Sequence, residues 1–131
     1  MKADGRSAQL IRETREKFRK RFITAPVLVL CCVDHRRLYY DRYLDHTRQG
    51  FEGLLGHHSL AAAIENFVLA AHALGLSTCW YSAPLFCQNE VRKALRIPSK
   101  LEPAAILTMG FAKPSVKAKA RRDLRSVFFV V

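Results

Sequence analysis

Apolar positions along this chain change their spacing several times, and each change marks the edge of an element. Over residues 7–22 they recur as Leu10, Phe18 and Phe22 among charged neighbours, the narrow stripe of an amphipathic helix with a solvated outer face. Ala25-Pro26 ends it, because the residue before a proline is pushed out of helical backbone. "VLVLCCV" (27–33) is continuous and β-branched, the pattern of a strand covered on both faces. Residues 34–56 mix aromatic and charged side chains with Gly50, Gly53 and Gly56, and read as a short helix and a loop.

"SLAAAIENFVLAAHAL" (59–74) has high helix propensity, with Ser59 as N-cap and Gly75 just past its end as C-cap. Only Ser59, Glu65, Asn66 and His72 interrupt its apolar surface. A helix apolar nearly all round must be covered nearly all round, either as a central core helix or at a homodimer interface; periodicity leaves both open. A short strand at "STCWY" (77–81), a turn at "SAPLF", a helix over 88–97 stopped by Pro98 and a strand at "AAILTMGF" (104–111) follow. The closing "VFFVV" is a bare β-forming run that needs a partner, and swapping onto another protomer's sheet edge would supply one. The whole, residues 1–131, is one domain's worth of chain, of α+β class with a mainly antiparallel central sheet flanked by helices.

Charge changes the picture modestly. The 22 Lys and Arg against 11 Asp and Glu leave +11, enough to attract a phosphate-bearing cofactor, an anionic substrate or nucleic acid. The bases of 12–21 are interleaved with acids, whereas "KPSVKAKARRDLR" (113–125) has few acids to balance it. Cys31, Cys32, Cys79 and Cys87 form no C-x-x-C pair and read as buried, reduced thiols. The opening residues have no apolar signal-peptide core and no window has membrane-span length, so a cytoplasmic, non-membrane location is expected. Phosphate-loop, dinucleotide-fingerprint, nucleophile-elbow and zincin motifs are all missing. His57, His58 and His72 have no acidic residue to join them, so no metal site is expected.

What remains for chemistry is a turn at Tyr81-Ser82-Ala83-Pro84 and the basic cluster near the end. A turn whose backbone N–H groups face a cleft suits the polar edge of a planar heterocycle, and a basic tail suits a phosphate. Those are the two demands of flavin mononucleotide.

"AAAIENFVLAAHALGLSTCW", "APLFCQNEVRKALRIP", "EPAAILTMGFA" and "KARRDLRSVF" together resemble the C-terminal two thirds of the flavin-dependent nitroreductase family, and "APVLVLCCVD" is similar to that family's earlier strand. The wording "CWYSAPLF" and "EPAA" is most similar to the branch containing the flavin domain of deazaflavin-coenzyme glutamate ligases. The resemblance implies a nitroreductase-like fold, a homodimer joined through the helix 59–74 and the C-terminal strand, and FMN bound between protomers. It implies that Ser82, Ala83 and Pro84 approach the flavin ring, and that Arg121, with Lys119 and Arg122, holds its phosphate. NAD(P)H would supply electrons to FMN for a nitroaromatic, quinone or related small-molecule acceptor, with no side chain as acid–base catalyst, because the cofactor carries the chemistry.

The chain departs from that pattern in lacking the family's opening arginine-rich helix and the segment after it; Ser77 replaces a glycine and Phe111 a tyrosine. Two other classes therefore stand beside the oxidoreductase: a truncated dimeric scaffold of the same fold without flavin activity, and a basic nucleic-acid-binding module. The last is disfavoured because Tyr39, Tyr40 and Tyr43 are not interleaved with an RNA-binding signature.

Overall fold

The computed structural model describes residues 7–39, 45–112 and 120–128. Helix α1 (Ala8–Thr24) starts where the Ser7 hydroxyl accepts a hydrogen bond from the Leu10 amide at 3.2 Å, and stops at extended Ala25 before Pro26. None of its residues is buried. It meets the sheet through Phe18 and Phe22, whose rings lie 6.2 and 4.9 Å from that of Tyr81.

Strand β1 (Val27–Asp34) is followed by a single 3-10 turn, His35–Arg37. Helix α2 (His46–Ala73) then runs 28 residues without a break. The helix expected to begin at Ser59 therefore begins at Asp45, whose carboxylate accepts from the Arg48 amide at 2.9 Å. Gly50, Gly53 and Gly56, expected in a loop, lie inside it. At Gly56 a tertiary contact bears on this: a Cβ there would stand 2.8 and 2.9 Å from the Leu38 methyls, so a larger residue would require the Leu38 side chain to shift. At the other end the expectation holds. Gly75 has φ +76, its amide donates to His72 O and that of Leu76 to Ala71 O, both at 2.9 Å, closing the helix in a Schellman motif.

Strand β2 (Ser77–Tyr81) occupies the expected residues; a 3-10 turn (Ala83–Phe86) and helix α3 (Gln88–Ala94) follow. α3 is a turn shorter than the pattern suggests, because Arg96 adopts a left-handed φ of 51° and Ile97 N donates back to Arg92 O at 2.9 Å, ahead of Pro98. Strand β3 (Leu101–Gly110) is the centre of the antiparallel sheet, in the order β1-β3-β2. Pro103 sits within this central strand, where a proline removes a ladder donor. The register slips at Cys31/Cys32, opposite it, and this bulge accommodates the missing donor.

The expected α+β arrangement is thus present, with Ile64 of α2 against Ala105 and Leu107 of β3, flanked by Val29, Cys31, Leu60 and Val68. One expectation is corrected. β1 is not covered on both faces: Val27 and Leu28 are 41% and 50% exposed, since α2 packs on one face and α1 meets the other at Tyr81 of the neighbouring sheet edge. Of the closing run expected to pair as a strand, Val127 is the C-cap of a 3-10 turn (Leu124–Ser126), and residues 129–131 lie outside the described part. Among the described residues no helix is long and apolar enough to cross a membrane.

Candidate functional site

The turn after β2 is where the sequence places it. Ser82 is exposed, its carbonyl accepts from the Leu85 amide at 3.0 Å, and the chain turns through Ala83 and Pro84 into α3. Beside it Leu85 and Phe86 are 46% and 92% exposed, and Trp80 at the end of β2 is 39% exposed. Surface of that kind, on a turn fixed to the central strand, is apolar area without a cover. Arg121 and Arg122 are also exposed, and neither makes a hydrogen bond or ion pair among the described residues. They precede Asp123, whose carboxylate caps the 3-10 turn through the Arg125 amide at 2.9 Å. Lys119 lies outside the described residues. Among the described residues no hydrogen bond or ion pair joins the two arginines to the Ser82 turn.

Elsewhere the structure assembles a polar cluster that sequence reasoning missed. Glu102, at the start of β3, faces His35 after β1, His57 on α2 and Gln88 at the head of α3. Its Oε2 meets His35 Nε2, and its Oε1 accepts from Gln88 Nε2 at 2.9 Å and lies 3.4 Å from His57 Nε2. Gln88 Nε2 also reaches Pro103 O at 3.2 Å. The expectation that no acidic residue joins the histidines is therefore wrong for His57. Burial alone would raise the Glu102 carboxyl, but the hydrogen bonds of Gln88 and His35 and the charges of His57 and His35 outweigh it and hold the group below its ordinary value. Part of this was accessible, since antiparallel pairing of Val33 with Glu102 sets the residue after β1 beside that carboxylate. The contributions of α2 and α3 depend on helix docking. Among the described residues no group of three or more His, Cys, Asp or Glu is arranged to hold a metal ion.

Next to the cluster, Asp34 accepts from Arg36 Nε at 2.9 Å, Arg36 Nη2 at 2.6 Å and the Arg36 amide at 3.1 Å. The guanidinium hydrogen bond pulls its carboxyl down to about 2. The cysteines divide. Cys31 and Cys32 are half-buried, and burial pushes both thiols up, away from the reactive thiolate. Cys79 and Cys87, expected as buried thiols, are exposed: Cys79 sits on the edge strand β2, two residues before the Tyr81 that α1 meets, and Cys87 precedes the first turn of α3. Cys79 lines a shallow groove of about 280 Å³ with Arg21, Pro26, Tyr81, Thr108 and Phe111. The Tyr81 hydroxyl is pushed up by its hydrogen bond with Cys79 and by burial, against a smaller opposing contribution from Thr108. This groove does not include Ser82–Pro84 or the two arginines.

Comparison with known proteins gives this geometry its context. Residues 1–111 match a family described as the Nitroreductase family, so α1 lies inside the match and the basic tail beyond it. Among solved structures, a BluB-like flavoprotein from Clostridium difficile 630 is 24% identical with a TM-score of 0.63, over 91% of this chain and 63% of its own. A candidate NADH oxidase from Clostridium acetobutylicum is 20% identical with a TM-score of 0.61, over 80% of this chain and 58% of its own. A candidate NADH dehydrogenase/NAD(P)H nitroreductase from Bacteroides thetaiotaomicron VPI-5482 is 22% identical with a TM-score of 0.58, over 80% and 55%. At these identities the likeness is one of fold, and the chain spans less than two thirds of the length of each.

Proposed function

This chain belongs to the nitroreductase family, and from that premise we propose that it is an FMN-dependent oxidoreductase working as a homodimer, which takes electrons from NAD(P)H and passes them to a small nitroaromatic, quinone or related acceptor. The observation that carries this reading is an exposed strand-to-helix turn together with two exposed guanidinium groups that no carboxylate neutralises among the described residues. FMN presents a planar ring and a phosphate. The Ser82–Pro84 backbone would orient the ring edge, and exposed Leu85 and Phe86 offer apolar area to keep water from it. Arg121 and Arg122, with Lys119, would hold the phosphate, which a planar guanidinium matches with paired donors. When bound, FMN supplies the hydride chemistry, while the protein supplies position and electrostatics.

A second copy completes the proposal. The outward face of α2 carries Phe51, Leu54, Leu55 and Leu69, all 47% to 59% exposed, opposite the face that buries Gly56, Ile64 and Ala71. Helical periodicity puts these four on one stripe, which is the pattern of a helix covered from outside. Homodimerisation through α2 and the C-terminal residues, a cytoplasmic location, and kinship with the flavin domain of deazaflavin-coenzyme glutamate ligases belong to the same reading; nucleic acid does not.

The test is direct. A purified preparation with flavin absorbance, or a colourless one that quenches added FMN fluorescence, is the expected result. Arg121→Ala should weaken FMN by about tenfold to 150-fold, since a hydrogen bond to a charged group contributes roughly 1.5–3 kcal/mol. Protein that takes up no FMN at any concentration tested would leave a flavin-free dimeric scaffold in its place.

A further inference from the structure

Glu102 joins four segments that are far apart in the chain. One carboxylate is shared by the end of β1 through His35, by α2 through His57 and by α3 through Gln88, while belonging itself to β3. Its side chain is 22% exposed and those of the two histidines 39% and 33%, so the group is shielded yet open to protons. Three side-chain nitrogens converge on two oxygens, and Gln88 also grips the neighbouring Pro103 carbonyl. Gln88 is the first residue of α3, directly after the Ala83–Phe86 turn and Cys87. Whatever tightens Glu102 thus tightens the segment leading out of Ser82.

We propose that Glu102 is a positioning residue for the Ser82–Phe86 turn, and that proton uptake by His35 and His57 controls how firmly it holds that turn. Histidine is the side chain whose charge changes between roughly pH 5 and 8. A protonated imidazole makes a charge-assisted bond to the carboxylate, about twice as strong as a neutral one. On deprotonation Glu102 keeps its negative charge but loses its cations, and the longer contact, to His57, loosens first. Among the described residues, other charges nearby are engaged elsewhere. Arg36 is engaged by Asp34, Lys100 acts on Asp34, and Arg92 acts on Cys32. Gln88 is neutral at every pH, so it transmits the change without titrating.

The role in cofactor binding rests on the reading that Ser82–Pro84 faces FMN, whereas the clasp itself is measured without flavin. Hydrogen exchange at the Leu85, Val91 and Leu95 amides, which donate to Ser82, Cys87 and Val91 carbonyls, reads the stability of the turn and α3. After correction for intrinsic exchange, protection in the wild type should be about tenfold greater at pH 6 than at pH 8. The Ile11 amide at the head of α1 should show no such change, and Glu102→Gln should flatten the profile at the three reporting amides. A flat wild-type profile, or an unaltered one in Glu102→Gln, overturns the proposal. If Glu102→Gln does not fold, His57→Asn takes its place, and must lose part of the pH dependence. With FMN present, the wild-type dissociation constant should rise between pH 6 and pH 8 and that of the variant should not. Failure of FMN to bind at any pH refutes the reading of the turn, and the exchange profile then decides the clasp alone.

Discussion

Replacing Leu69 by glutamate should separate the homodimer proposed above while leaving each protomer folded. Leu69 is 57% exposed on the outward stripe of α2. Fully burying a leucine side chain contributes about 1.5–3 kcal/mol, so covering the exposed part contributes roughly 1–1.7 kcal/mol per copy. A symmetric dimer contains the contact twice, giving roughly 2–3.4 kcal/mol, or a 30- to 300-fold weaker dissociation constant from lost apolar contact alone. Burying two carboxylates adds to that loss. Sedimentation equilibrium across a concentration series gives the constant, and circular dichroism shows whether the helices persist. A monomeric wild type, or a Leu69→Glu variant as tightly dimeric as the wild type, would refute the reasoning.

Leu107→Ala should cost about 2–5 kcal/mol in urea unfolding, because Leu107 is fully buried in the small cluster between α2 and β3; a loss under 1 kcal/mol would mean that this cluster is not the core. Arg96→Gly should raise stability by about 0.5–1 kcal/mol, since φ 51 is a backbone state in which side chains other than glycine are strained, and a shift of the urea midpoint to lower concentration would contradict it. Acid should destabilise the fold through two carboxylates whose folded values are lowered, Glu102 and Asp34, the latter to about 2. Their contribution is complete above the ordinary carboxylate range and is lost as pH falls through the lowered values. Urea midpoints between pH 6 and pH 3 should fall less steeply in Glu102→Gln than in the wild type, and equal slopes would sink the assignment.

Much of the fold is legible along the chain because its signals are local. The short apolar run of 77–81, the proline after Ala25 and the glycine after Leu74 each act within a few residues, and the structure places strand, stop and cap there. The start of α2 was hidden for the opposite reason. Three glycines lower local helix propensity, and the close approach of Gly56 to Leu38 is a contact that sequence spacing does not reveal. The cysteines misled similarly, since apolar neighbours suggest burial while Cys79 lies exposed on an edge strand. At the candidate site the turn was readable from its Ser-Ala-Pro composition. Its relation to Arg121 was not, because among the described residues no hydrogen bond or ion pair joins them. The Glu102 cluster needed β1–β3 register and the docking of two helices at once.

Pro103 gives that cluster a further meaning. A residue preceding proline is held to extended backbone before any folding occurs, so Glu102 has fewer conformations to lose when the strand forms. The central strand gives up one ladder donor, and in return its carboxylate is partly pre-aimed in the unfolded chain. Exchanging Pro103 for alanine would therefore restore a backbone donor and still leave the junction of β1, α2 and α3 slower to assemble. The missing N–H and the shared carboxylate are two aspects of one dipeptide, Glu102-Pro103.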